Sequence, residues 1–572
     1  MFYMTDRDYD VVVVGSGAAG MTAALTAAHN GLKVVLIEKA AHFGGSTARS
    51  GGGVWIPGNK ALKASGRPDD REEARTYLHS IIGDVGVPKE KIDTYIDRGA
   101  EAFDFVLDHS PLKMKWVPGY SDYYPEAPGG KADGRSCEPK PFNTKKLGAE
   151  RAHLEPPYSK APLDVVILQA DYKKLNLLRR HPIGFVTVLR VGSRWAWGKV
   201  TGKKLVGMGQ AIIAGMRTGL LDANVPVLLN TPLSGLVIEN GVVTGVEAEQ
   251  NGETVRFNAK YGVVLAAGGF EHNADMRHKY QREPITTEWT TGAAANTGDA
   301  IRAGIDAGAA IDFMEDAWWG PTTLKGEGKP WFALAERNLP GCIIVNQDGK
   351  RFGNESAPYV EAVHTMYGGE YGQGEGPGEN VPSWLVFDQR YRSRYIFAGL
   401  QPGQRFPSRW MENDNIVVAP TLAELAEKLG VPADTLASTV ERFNGFAETG
   451  KDEDFNRGDS AYDRYYGDPT IKPNPCLNKL EVGPFYGVRM VPGDLGTKGG
   501  LVTDVNGRVQ REDGTVIEGL YAAGNTSSPV MGHTYAGPGA TIGPAITWGY
   551  LSVLDIVARA RNGAPVVADS KS

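Results

Sequence analysis

Tyr9-Asp10-Val11-Val12-Val13-Val14-Gly15-Ser16-Gly17-Ala18-Ala19-Gly20, then an alanine-rich run, then Leu32-Lys33-Val34-Val35-Leu36-Ile37-Glu38-Lys39, is the stretch from which the rest of the chain is read. Asp10 to Val14 is a nearly unbroken apolar run, as expected of a parallel strand buried on both faces. Gly15, Gly17 and Gly20 set out G-x-G-x-x-G where that strand turns into a helix. The first glycine permits the tight turn, the second lets a pyrophosphate approach the backbone, and the third lets helix and strand pack closely. The helix N-terminus offers N–H groups and a partial positive charge to phosphate. Lys33 to Ile37 reads as the second strand. Glu38 ends it, about 20 residues past the glycines, where a carboxylate accepts from a ribose hydroxyl. Strand, helix, strand and acid together predict a dinucleotide site.

The next residues choose the dinucleotide. Phe43-Gly44-Gly45-Ser46-Thr47-Ala48-Arg49-Ser50-Gly51-Gly52-Gly53 is rich in small side chains, against which a flat group can lie. Trp55 and Ile56 follow at once, so the loop is expected to be packed. This pattern resembles the flavoproteins of the fumarate reductase and ketosteroid dehydrogenase superfamily, which bind FAD. The resemblance implies an α/β chain: a Rossmann-like FAD-binding domain with an inserted α+β substrate domain. It carries the cofactor contacts onto Gly15, Gly17, Ala18, Ala19, Gly20, Glu38, Lys39, Gly45, Ser46, Thr47, Ser50, Gly51, Gly52, Ala267, Gly268, Asn296, Asp299, Gly524, Asn525, Gly539, Thr541 and Ile542. Dicarboxylate enzymes of the superfamily often link the flavin to a His just before the Thr of this loop. Ser46 stands there, which implies a non-covalent flavin.

Bulk properties narrow the class. At 572 residues the chain is too long for one core, so at least two domains are expected. A net charge of −6 leaves no footprint for nucleic acid. Cys137, Cys342 and Cys476 are far apart and form no C-x-x-C pair, which argues for reduced thiols and against a disulfide framework or metal site. The first strand starts too near the N-terminus to leave room for a signal peptide, and no apolar run approaches the ~20 residues of a membrane span. The expected compartment is the cytoplasm.

Along the chain, Arg71 to Ile82 reads as a helix capped by Asp69 or Asp70, and a second helix runs near Lys91 to His109. Trp116 to Pro125 reads as a Pro/Gly loop bearing Tyr120, Tyr123 and Tyr124. Residues 151–210 change character. Arg151, Lys173, Lys174, Arg179, Arg180, Arg190, Arg194, Lys199, Lys203 and Lys204 are interleaved with Val165 to Leu168, Phe185, Trp195 and Trp197. Two readings stand: a solvated helical insertion, or a basic amphipathic patch that touches anionic lipid. Asn240-Gly241 and Asn251-Gly252 mark hairpins. A strand from Tyr261 ends in Ala266-Ala267-Gly268-Gly269, and Asn296-Thr297-Gly298-Asp299 opens a helix. From Trp318 the composition shifts, with helices expected at Leu422 to Leu429, capped by Thr421 and Glu424, and at Leu436 to Phe446. The domain boundaries are placed at 1–316 plus 493–572 for the FAD domain and 317–492 for the substrate domain. The final helix is expected to begin near Pro538.

Nearly the whole chain, Tyr9 to about Leu554, resembles the 3-ketosteroid Δ1-dehydrogenases. The stretches that carry this are Ser121-Asp122-Tyr123-Tyr124, Asn354-Glu355-Ser356-Ala357-Pro358-Tyr359, Asp494-Leu495-Gly496-Thr497-Lys498-Gly499-Gly500 and His533-Thr534-Tyr535-Ala536-Gly537-Pro538-Gly539. Ala536 departs from the family, which more often has Pro there. The resemblance implies loss of a hydride from C1 and a proton from C2 of a 3-ketosteroid. It makes Tyr359 the base, Tyr123 its support, and Tyr535 with the Gly539 N–H the binder of the C3 carbonyl. The sequence does not identify the electron acceptor; a quinone-like one is among the candidates. A Δ4-(5α)-dehydrogenase, a fumarate reductase-like enzyme and a flavin- or steroid-binding carrier remain as alternatives. The fumarate reductase pattern His-Gly-x-x-Arg is replaced by Met531-Gly532-His533-Thr534-Tyr535, and no Arg lies between Arg511 and Arg559.

Overall fold

The computed structural model describes residues 6–562 except 68, 160 and 179. Arg179 therefore lies outside the described residues. The chain opens with strand β1 (Asp6–Val14), helix α1 (Ala18–His29) and strand β2 (Val34–Ile37). Five parallel strands form the heart of the main sheet, in the order Val516–Ala522, Glu253–Leu265, β1, β2, Val227–Leu228. Side-chain alternation explains the apolar run. Val11 and Val13 pack on one face, with α1, while Val12 and Val14 pack on the other. The hairpin Leu233–Glu239/Val242–Gln250 adds antiparallel to the first half of Glu253–Leu265. Its turns carry positive φ at Asn240, Gly241, Asn251 and Gly252, the backbone that Asn-Gly permits in a tight hairpin. The return strand expected from Tyr261 is not separate: it continues the hairpin strand without a break from Glu253.

A second, antiparallel sheet runs Lys329–Phe332, Ala317–Lys325, Phe485–Thr497, Ser383–Asp388, Cys342–Val345, with Ile416–Ala419 also paired to Phe485–Thr497. Phe485–Thr497 is continuous through residue 492, and its far end meets Ala317. Helices Leu422–Leu429 and Ala433–Thr449 cover this sheet, the first capped by the Thr421 hydroxyl on the Glu424 N–H.

Two expectations are corrected. Residues Gly45–Arg49 form a short helix rather than a loop, with Gly44 at positive φ ahead of it. The final helix is Ile542–Arg561, so it begins four residues after Pro538. Gly539 thus lies before the helix, at φ +101°. It is not at the helix start, and the helix dipole does not act on it directly. This last helix crosses α1 so closely that a Cβ on Gly549 would sit 2.4 Å from Ala19 O.

Candidate active site

The turn after β1 is built by close backbone approach. A Cβ on Gly15 would lie 2.3 Å from Ala266 O, and one on Gly20 would lie 1.9 Å from Gly15 O. Gly17 is different: its Cβ position meets only Thr47 Oγ1, at 3.7 Å, and faces a cavity of about 1430 Å³. The Gly45 and Gly51 positions are equally uncrowded, with nothing nearer than 4.0 Å, and line the same cavity. A large flat group can therefore lie against bare backbone at three places. One α1 N–H is already taken, since Ala18 donates to Thr47 Oγ1 at 3.2 Å.

Polar side chains around this cradle are held by one another. Glu38 Oε2 accepts from Ser16 N at 3.0 Å and Ser16 Oγ at 2.5 Å, and Oε1 accepts from Ala40 N at 2.9 Å. Burial pushes the Glu38 carboxyl up despite these bonds. Lys39 pairs with Asp299 at 2.8 Å. Ser46 Oγ accepts from Ala293 N at 2.9 Å and from Asn296 Nδ2 at 3.1 Å, and the same amide donates to Glu271 Oε1 at 2.7 Å. Burial, then the charge of Asp494, lifts Glu271 to about 7. All the residues assigned above to cofactor contact line this cavity except Gly20, which packs behind it.

The cavity continues to three phenols. Tyr123, Tyr359 and Tyr535 are 2, 5 and 6 % exposed. Their ring centroids are 5.2 Å (123–535), 5.3 Å (123–359) and 5.5 Å (359–535) apart. Tyr359 is the first residue of helix Tyr359–Tyr367, with Pro358 at the cap. Tyr123 follows Asp122, which is locked by Trp55 Nε1 at 2.8 Å and by Arg135. Tyr123 N and Tyr77 Oη both donate to Ala536 O, at 3.0 and 2.6 Å, and so tie that loop to the one bearing Tyr535. The Tyr535 hydroxyl accepts from Thr541 Oγ1 at 3.1 Å and is met by Tyr359 and by the Gly539 N–H. A Cβ on Gly539 would lie 2.2 Å from the Gly53 carbonyl carbon, so the loop ending in Gly53 and the loop bearing Tyr535 touch backbone to backbone. Burial drives Tyr359 and Tyr123 well above the usual phenol value and raises Tyr535 too; the Tyr123 hydrogen bond pulls Tyr359 back only in part. At Tyr359 desolvation thus outweighs the hydrogen bond from Tyr123.

Sequence reading missed several contributors. Tyr120 belongs to the cavity wall beside Tyr123, and Tyr158, Tyr172, Trp331 and Phe332 join them. Val166, Tyr172, Val188 and Trp195 of the 151–210 segment also line the cavity. Part of its basic character faces inward: Arg194 pairs with buried Asp171 at 3.0 Å, and Lys173 sits 3.5 Å from the Tyr465 ring centre. Trp and Tyr clusters at 318–332 and 120–124 were the available signal, but composition does not say which aromatics face a cavity.

The family model described as FAD binding domain matches residues 10–542. The 3-oxosteroid 1-dehydrogenase of Mycolicibacterium smegmatis is 66% identical over 565 residues, 98% of this chain and 99% of that protein. That of Mycobacterium tuberculosis strain CDC 1551 is 65% identical, over 98% of this chain and 100% of that protein. The crystal structure of 3-ketosteroid delta1-dehydrogenase from Sterolibacterium denitrificans in complex with 1,4-androstadiene-3,17-dione superimposes with TM-score 0.91 at 38% identity, covering 96% of this chain and 99% of that one. With a cradle that fits FAD leading to a cluster of buried phenols, the chain belongs to the FAD-dependent 3-oxosteroid 1-dehydrogenase family.

Proposed function

We propose that this chain oxidises 3-ketosteroids by forming the C1–C2 double bond, with loss of a hydride from C1 and a proton from C2. The observation that carries the roles is the joining of the flavin cradle and the three phenols in one cavity. Bound FAD supplies the hydride acceptor. Tyr359 takes the C2 proton, and Tyr123 hydrogen-bonds Tyr359. The Tyr535 hydroxyl and the Gly539 N–H, which lie against each other, are the donors we assign to the C3 carbonyl oxygen and to the charge that enolisation places on it. Buried aromatic walls keep water from that oxygen. Ser46 carries no group that would bond to a flavin, which supports non-covalent binding. We assign residues 1–316 and 493–572 to the FAD domain and 317–492 to the substrate domain, with strand Phe485–Thr497 running from the second into the first.

The test is anaerobic bleaching of the bound flavin by a panel of 3-ketosteroids, succinate and acyl-CoA esters, followed by product analysis. Bleaching by 3-ketosteroids with a C1–C2 double bond in the product is expected. A C4–C5 double bond, or bleaching by succinate alone, would overturn the reading.

A second reading concerns the surface. Helix Pro182–Val200 buries Gly184, Thr187, Val191 and Gly198 and turns Val186, Leu189, Trp197 and Val200 to the outside, with the last two 60 and 83 % exposed. Such an apolar stripe beside Arg190, Lys199 and Lys203 fits the surface of an anionic membrane. A quinone is the electron acceptor we propose for that location. Among the described residues no helix is long and apolar enough to cross a membrane.

A further inference from the structure

Asp316 immediately precedes strand Ala317–Lys325 of the second sheet and is fully buried, as is the Lys498 side chain. Four side chains converge on its carboxylate. Oδ2 meets Lys498 Nζ at 2.7 Å and His533 Nδ1 at 3.2 Å. Oδ1 accepts from Trp319 Nε1 at 2.6 Å and lies 3.1 Å from His364 Nε2. Burial opposes the charged form, yet Lys498 and the histidines outweigh it and hold the carboxyl well below its usual range.

The partners come from two separate arms of the site. His364 sits on helix Tyr359–Tyr367, whose first residue is Tyr359. His533 is two residues before Tyr535, and Lys498 Nζ also donates to the backbone carbonyls of His533, at 2.9 Å, and Thr534, at 3.5 Å. Lys498 lies 4.9 Å from the centre of the Trp318 ring, which in turn packs 5.1 Å from Tyr535. One carboxylate therefore touches the helix that carries one phenol and the loop that carries the other.

We infer that Asp316 and Lys498 are positioning residues that fix the spacing between Tyr359 and Tyr535. This rests on the roles proposed above for those two phenols. Proton removal at C2 is assisted by the carbonyl donor only if both reach one substrate at once. A misplacement on the order of 1 Å is enough to cost about 10²-fold in rate. A buried charge pair does not account for itself by stability, because apolar replacements of both partners are often as stable.

The experiment compares Asp316→Asn, Lys498→Met and the double variant with Tyr359→Phe and Tyr535→Phe, all as flavin-loaded enzyme. The double variant removes both charges, so neither is stranded in the core. For each, kcat, KM, flavin content and exchange of the C2 hydrogen with solvent are measured. The expected result for the Asp316 and Lys498 variants is a fall in kcat of about 10²-fold, an equal fall in C2 exchange, and KM and flavin content close to those of the parent. Normal kcat in both single variants, with the Tyr variants inactive, would overturn this inference alone. So would a fall in kcat with C2 exchange unchanged, or loss of flavin or of folded protein in the neutral double variant. Normal kcat in Tyr359→Phe or Tyr535→Phe would instead overturn the roles of the phenols.

Discussion

Tyr359 rests protonated. Burial holds its hydroxyl well above the ordinary value near 10, so at pH 7 its ionisation costs more than about 4 kcal/mol. In the proposed mechanism the C2 proton is therefore taken by the small ionised fraction of Tyr359, whose own proton has already passed to solvent, while the C3 oxygen is held. The sign of the pH dependence follows. A base mostly protonated at neutral pH gains ionised fraction tenfold per unit until its pKa is passed. kcat/KM should rise through pH 6 to 10 with no plateau in that window, and Tyr359→Phe should abolish turnover while steroid binding stays near that of the parent. A plateau near neutrality would show that another group takes the proton. At the carbonyl end, Tyr535→Phe removes one of two donors, a loss typically of 10²–10³ in rate. It should lower kcat by about that factor and slow C2 exchange equally. A variant that changes only KM would make Tyr535 a binding contact and remove the enolate from the mechanism. These phenols were legible because each sits in a short stretch that matches one family. Asp316 was not: it adjoins Trp318 and Trp319 in sequence, and only folding brings Lys498, His364 and His533 to it.

Elements with strong local chemistry were read nearly to the residue. Arg71–Ile82 begins after an Asp70 cap that accepts from Glu72 N, and Leu422–Leu429 matches its expected bounds. The Asn-Gly hairpins formed for the same reason: their backbone preference is intrinsic to those residues. The misread elements are those decided by packing. Gly45–Arg49 becomes helical although its glycine and serine are poor helix formers; it is entered through Gly44, which packs so closely that an added Cβ would lie 2.9 Å from both Ala48 and Ile213. Residues 538–541 stay out of the final helix because Gly539 is pinned at φ +101° against Gly53. Helix Pro182–Val200 lies in the segment read only as a helical insertion or a basic amphipathic patch, and which of its apolar side chains face solvent is decided by packing. Liposome sedimentation tests that side. The parent protein should partition onto anionic vesicles more than neutral ones, and less at high salt, where the attraction is screened. Leu189→Glu with Trp197→Glu should abolish the partition and leave kcat unchanged, since neither side chain lines the cavity. Equal partition of parent and variant, or no preference for anionic lipid, would remove the membrane reading.

At the scale of the whole molecule, the cavity is where the parts meet. Its wall draws on the β1–α1 turn, the 151–210 segment, the return strand at Ala266 to Gly268, the second sheet at Trp318 and Phe332, and the lead-in to the last helix. That breadth has a thermodynamic consequence. A ligand bound by the folded state alone stabilises it by RT ln(1 + [L]/Kd), about 2.7 kcal/mol at 100 times Kd. Here FAD would occupy part of a cavity of about 1430 Å³ to which all these segments contribute, so its removal exposes apolar wall from each of them. Deflavinated protein should melt several degrees lower than the holoprotein, and FAD should restore the difference in proportion to the logarithm of its free concentration. Limited proteolysis should cut the apoprotein first within 151–210. That segment reaches the wall through side chains such as Val166, Tyr172 and Val188 rather than through either of the two large sheets. Protection of 151–210 should return with FAD. An apoprotein that melts with the holoprotein and resists cleavage there would mean that the layers hold each other without the cofactor, and that the cavity is a preformed socket rather than a joint.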